Sequence, residues 1–190
     1  MSTLDEAREA LRLLQGLGAR YDAPEAPAQA LALARSGTAY FARKLNELSD
    51  VELYGPSRVT GWTRAHVICD VAYQARAIAA QAEALTAGSP APPFYESEAA
   101  RLEAIDLGAT LPPRALRHLA DHSAVHLDVV WRDLPGACWS ARASDAQGAD
   151  RAMSDTATER TRLLWQAALD LDNGARLRDV PVQLRPQTAH

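Results

Sequence analysis

The stretch GPSRVTGWTRAHVICDVAYQARAI, residues 55–78, decides how this chain is read. A Gly-Pro connector passes through Gly61 and Trp62 to Thr63, a good helix N-cap, and a helical pattern follows. Val67, Val71, Ile78 and Leu85 fall on one face of the predicted helix 64–86, and alanine fills much of the rest. His66 enters in the first turn and a half, with Asp70 four residues on and therefore on the same face. Such a His can offer a ring nitrogen to a metal, with Asp70 binding beside it or orienting the imidazole from behind. The same spacing also fits a capped helix start carrying a solvated His-Asp pair.

Outward from that helix the same period recurs. Leu4, Ala7, Leu11 and Leu14 predict a helix over 3–18, and the prolines of YDAPEAP, residues 21–27, end it. A second helix, from about 28 to 48, carries Leu31, Ala34, Thr38, Phe41 and Leu45. Residues 87–113 hold Gly88, Pro90, Pro92, Pro93, Gly108, Pro112 and Pro113, with a short helix expected near 96–105. That segment is too long for a bundle turn and suits a crossover to the other end. A helix follows from about 114 to 133 with Leu116, Ala120, Ala124, Leu127, Val130 and Trp131 inward, stopped by Leu134-Pro135-Gly136. Residues 140–152 read as a loop. The last helix begins near Ser154 or Thr156, carries Leu164, Ala168 and Leu171 on one face, and stops at Asn173-Gly174.

Composition supports helices throughout. Of 190 residues 39 are Ala, the best helix former, against 12 Val and Ile together. An all-β fold is excluded. The net charge of −4 argues against a generic nucleic-acid binder. Cys69 and Cys138 are too few for a disulfide framework, and no apolar run is long enough to span a bilayer. The start MSTLDEAREA lacks the order of a secretion signal, so a reduced, cytoplasmic setting is expected.

Pro56-Ser57 and the run Gly61-Trp62-Thr63-Arg64-Ala65-His66-Val67 resemble the N-terminal domain of mycothiol-dependent maleylpyruvate isomerases, a family of the DinB-like superfamily. Asp70 stands where that family has a second His. A weaker similarity covers 123–139 (SAVHLDVVWRDLPGACW) and 162–171, where Leu169-Asp170-Leu171 is similar to a Val-Asp-Leu triplet. The resemblance implies an all-α DinB-like four-helix bundle over 28–175, with one long crossover. An extra N-terminal helix and linker (1–27) and a tail (176–190) flank it. The smaller α/β domain of full-length maleylpyruvate isomerases is expected to be absent.

The resemblance also implies a divalent metal, usually zinc, held by a first His and by a Glu-x3-His pair on the last helix. His66 matches the first ligand, but the other two positions fall on Leu163 and Ala167, which have no lone pair to give. His118, His122 and His126 recur every four residues and line one stripe of their helix. Either they form a polar flank, or His118 and His122 meet His66 and Asp70 at one bundle end and rebuild a metal site. Arg162 matches a family Arg and either receives a substrate carboxylate or pairs with Glu159 or Asp155. The four tryptophans read as bundle core, and Cys69 as a buried small hydrophobe rather than a nucleophile.

Three functions stay open. One is an isomerase or S-transferase that uses a low-molecular-weight thiol as cosubstrate and a metal at His66, with Asp70 and Arg162 serving catalysis. Another is a metal-free small-molecule-binding or regulatory bundle. The last is a structural module, a homodimer joined through closely packed alanine faces. The partners expected are a small-molecule substrate or thiol, not nucleic acid or a membrane.

Overall fold

The computed structural model describes residues 21–185 together with Thr3, Glu6, Ala7 and Ala10. Those four are helical and exposed, within the segment assigned to a first helix. Leu4, Leu11 and Leu14 of that helix, and residues 186–190 of the tail, lie outside the described residues. Five helices follow: α1 (Ala28–Asn46), α2 (Arg64–Thr86), α3 (Glu98–Gly108), α4 (Pro113–Asp133) and α5 (Asp155–Asp170).

Helices α1, α2, α4 and α5 make the bundle, and their cross-links give its directions. His126 bonds Glu83, while His118 sits in one hollow with Tyr73, so α2 and α4 run parallel. Thr161 reaches the Ala30 carbonyl and Trp165 stacks on Tyr40, so α1 and α5 are parallel too. Arg35 meets Asp128 and Arg117 meets the Leu45 carbonyl, which sets α1 antiparallel to α4. An up-down-down-up bundle needs one long connection between its parallel middle helices. Residues 87–112 are that crossover, and they carry α3 against α2.

The apolar stripes read from the sequence go inward, except that Thr38, Leu85 and Ala124 are only half-buried. Leu31, Ala34, Phe41 and Leu45 of α1 are buried, as are Val67, Val71 and Ile78 of α2. On α4 the buried set is Leu116, Ala120, Leu127, Val130 and Trp131, and Leu164 and Ala168 of α5 join them. Each fully buried Leu or Ile contributes roughly 1.5–3 kcal/mol of transfer free energy. On α2 the residues Ala65, Ala72, Ala75, Ala79 and Ala82 are buried as well, and their small side chains let neighbouring helices come close.

The loop expected over 140–152 is instead an antiparallel hairpin, β1 (Arg142–Ser144) with β2 (Asp150–Ala152). Asp145 closes its turn by accepting from the backbone N–H groups of Gln147 and Ala149, and Gly148 takes φ +80°. Ala143 and Arg151 face each other across the pair and both turn inward. Three-residue strands give too little alternation for a pattern to register. Residues 176–185 of the tail dock on the bundle. Tyr40 bonds Asp179 at 2.9 Å, and Val180 is buried.

Candidate functional site at the head of helix α2

His66 is the third residue of α2, and its ring is committed to the helix start. The Thr63 N–H donates to His66 Nδ1 at 3.2 Å, and Thr63 Oγ1 lies 2.7 Å from the same nitrogen. This is a capping box with His in the place usually taken by Glu or Gln. Trp62 stacks on the ring with centroids 6.1 Å apart. On the far side Nε2 faces Asp106 Oδ1 of α3 at 3.5 Å, and that carboxylate is 70% exposed while the His side chain is 19% exposed. Arg64, next to the cap, ties the junction to α5 by donating to the Leu171 carbonyl at 2.5 Å.

Asp70 lies one turn along, as its spacing requires, but its carboxylate goes to Arg101 of α3 rather than to His66. Arg101 also binds Glu98, and both members of the Asp70–Arg101 pair keep only 19% of their side-chain surface. Burial pushes the Asp70 carboxyl above the ordinary carboxylate range, and the Arg101 charge offsets part of that rise. Neither Asp106 nor Arg101 is singled out by the sequence, because both arrive from the crossover.

The α4 histidines stay together, apart from His66. His118 and His122 have ring centroids 5.6 Å apart, and His122 and His126 are 6.1 Å apart. His126 Nε2 bonds Glu83 at 2.8 Å. His118 and His122 face a shallow hollow with Tyr73 and Arg76, level with the third and fourth turns of α2. Arg162 is exposed beside Leu163, in a hollow of about 500 Å³ that the tail residues Leu177, Val180 and Leu184 close. The Glu159 side chain pairs with Arg151, and no carboxylate pairs with Arg162 among the described residues. Ala167 is buried.

Zinc held by protein alone needs three or four lone-pair donors converging on one point. Among the described residues no group of three His, Cys, Asp or Glu side chains is placed to hold a metal. Leu163 and Ala167 are aliphatic, Asp70 is held by an arginine, and His118 and His122 lie elsewhere. The residues present do not fit the three-ligand centre. Cys69 does not substitute as a thiolate, since burial pushes its thiol up to about 12.

A larger cavity, about 660 Å³, opens between α1 and α4, which make the loosest contact of the bundle's neighbouring pairs. Phe41, Leu45, Leu127 and Trp131 wall it, with Val71, Arg160 and Leu164 at its inner side. His66 is not part of its lining. Arg160, 1% exposed, was not marked by any sequence motif. Trp131, Trp139 and Trp165 are buried core residues as expected, and Trp62 is half-buried over the His66 ring.

An all-α bundle with one long crossover and an imidazole at the head of its second helix defines the DinB-like class. Within it, the chain belongs to the mycothiol maleylpyruvate isomerase N-terminal domain family, whose model matches residues 34–172. Two solved structures are similar to it, a mycothiol-dependent maleylpyruvate isomerase and a histidine-to-alanine mutant of that enzyme. Each aligns with a TM-score of 0.79 and 38% identity, covering 83% of this chain and 65% of the other. The chain thus spans just under two thirds of the isomerase it resembles. No curated protein sequence matches it. No described helix is long and apolar enough to cross a membrane.

Proposed function

We propose that this chain is a maleylpyruvate isomerase-like protein that acts on a small electrophilic acid with a low-molecular-weight thiol as cosubstrate. We further propose that it does so without a three-ligand metal centre. The 38% identity to a mycothiol-dependent isomerase over 83% of the chain carries the first part. The donor set around His66 argues for the second.

Thiol-dependent cis–trans isomerisation needs a thiolate that adds to a double-bond carbon, a rotation about the resulting single bond, and expulsion of the same thiolate. An S-transfer would stop after addition. His66 can supply a hydrogen-bond donor to the acid. Because Nδ1 accepts from the Thr63 N–H, the neutral ring carries its hydrogen on Nε2, from which it can donate to the carboxylate or the developing enolate oxygen of the thiol adduct. Asp106 Oδ1, 3.5 Å from Nε2, is the acceptor that this hydrogen faces until the acid takes its place. The test is thiol-dependent turnover of maleylpyruvate by the full chain against its His66→Ala variant. Turnover that falls at least tenfold supports the reading; equal turnover in both, or none in either, contradicts it.

A second reading, a binding bundle without catalysis, is favoured by one observation. The cavity of about 660 Å³ between α1 and α4 does not include His66 in its lining.

A further inference from the structure

We propose that the cavity between α1 and α4 is a binding site for a small organic carboxylate with an apolar body, anchored on the buried guanidinium of Arg160. The site shares no residue with Thr63, His66 or Asp106, so it stands or falls separately from the thiol chemistry.

The other arginines lining the cavity are already satisfied. Arg35 is held by Asp22 and Asp128, Arg132 by Asp128, and Arg117 by Asp50 and the carbonyls of Leu45 and Leu48. Arg160 is different. Among the described residues only its Nη1 is engaged, with the Val71 carbonyl at 2.5 Å and Gln74 Oε1 at 3.1 Å. Among the described residues no carboxylate forms an ion pair with it. Asp70, whose field reaches it, is spent on Arg101. A guanidinium offers five N–H donors in a planar fork matched to a carboxylate, and the described residues engage one of its nitrogens.

Burial pulls Arg160 down to about 10, so it remains cationic at neutral pH. A cation taken out of water without a counter-ion is strongly disfavoured unless something pairs with it. Were its purpose only to brace α5 against α2, a neutral donor would bind the Val71 carbonyl at lower desolvation cost. The cavity supplies the rest of a binding site. Its volume of about 660 Å³ suits a small ligand. Phe41, Leu45, Leu127, Trp131 and Leu164 give it apolar walls, and the paired charges stay at the rim. A ligand with one anionic end and a hydrocarbon body would satisfy both halves.

Octanoate is the probe, with 1-octanol as its uncharged counterpart, titrated into the full chain while melting temperature and tryptophan fluorescence are followed. Octanoate near saturation is expected to raise the melting temperature by about 2–5 °C, with octanol giving a smaller shift. Arg160→Met, similar in length and uncharged, should weaken octanoate at least tenfold and leave octanol unaffected. Equal responses to the two probes, no response to octanoate, or undiminished octanoate binding in R160M would overturn the proposal. Should R160M fail to fold, Ala124→Phe decides, since it keeps Arg160 and fills the cavity from α4. Octanoate binding must then be lost; binding that survives in A124F overturns the proposal equally.

Discussion

Thr63 and His66 close a reciprocal pair at the head of α2, the backbone N–H of Thr63 donating to His66 Nδ1 at 3.2 Å. The residue that the isomerase resemblance marks as a ligand is thereby also a structural cap. His66→Ala should remove one partner of the capping box at about 0.5–2 kcal/mol. For a domain of this size that lowers the melting temperature by a few degrees, roughly 2–6 °C. His66→Gln keeps an acceptor at the box position and should melt close to the parent, yet lack the imidazole. Thermal denaturation of the two variants separates the roles; equal melting losses in both would refute the cap.

The Asp70–Arg101 contact predicts a pH dependence. Burial raises the folded carboxyl above its unfolded value, so the folded chain holds this proton over the window where the unfolded chain has released it. The stability that the protonated form contributes is present below the unfolded pKa and is lost as pH climbs through the raised one. Asp70→Asn, which mimics that form, should therefore gain on the parent between pH 4 and pH 7. Urea denaturation of both proteins at the two pH values checks it, and an Asn variant that loses ground on going to pH 7 would contradict it.

Gly108 closes α3 against α2 with no room for a side chain. A Cβ there would fall on the Tyr73 hydroxyl and come within 2.8 Å of the Cys69 sulfur. Gly108→Ala should destabilise by roughly 1–3 kcal/mol through overpacking. Adding Tyr73→Phe should recover part of the loss, because the hydroxyl is the nearest obstacle. Chemical denaturation of the single and double variants measures both effects, and full tolerance of the alanine would mean that α3 can slide along α2.

Leu163 and Ala167 test the missing ligands. Replacing them together, Leu163→Glu with Ala167→His, supplies the two donors that the resemblance expects beside His66. The double variant should bind close to one zinc per chain by elemental analysis, and the parent, purified without a histidine tag, less than about a tenth of that. A folded double variant that stays free of zinc would show that these two positions do not face His66.

Much of the bundle was legible in the sequence because helical burial repeats every three to four residues. Leu31, Phe41, Val71, Ile78, Leu127 and Leu164 all went inward as their spacing implied. The crossover was legible from its prolines and its length. The hairpin was not, since Arg142–Ser144 is too short to show alternation and one of its inward residues, Arg151, is charged. At the site, His66 announced itself by its place after Thr63, whereas Asp106 and Arg101 reach α2 only through tertiary packing. Arg160 could have been found. Thr156, Arg160 and Leu164 stand four residues apart, all three are buried, and extending the Leu164 stripe back one turn points to it. A charged residue within TERTRLLW reads as solvent-facing until that extension is made.

The most direct test of the central claim is thiol-dependent isomerisation of maleylpyruvate by the full chain, measured before and after exhaustive chelation and again with zinc added back. Turnover should survive removal of metal to below about a tenth of an ion per chain, and added zinc should not increase it. Turnover abolished by chelation and restored by zinc would contradict the claim.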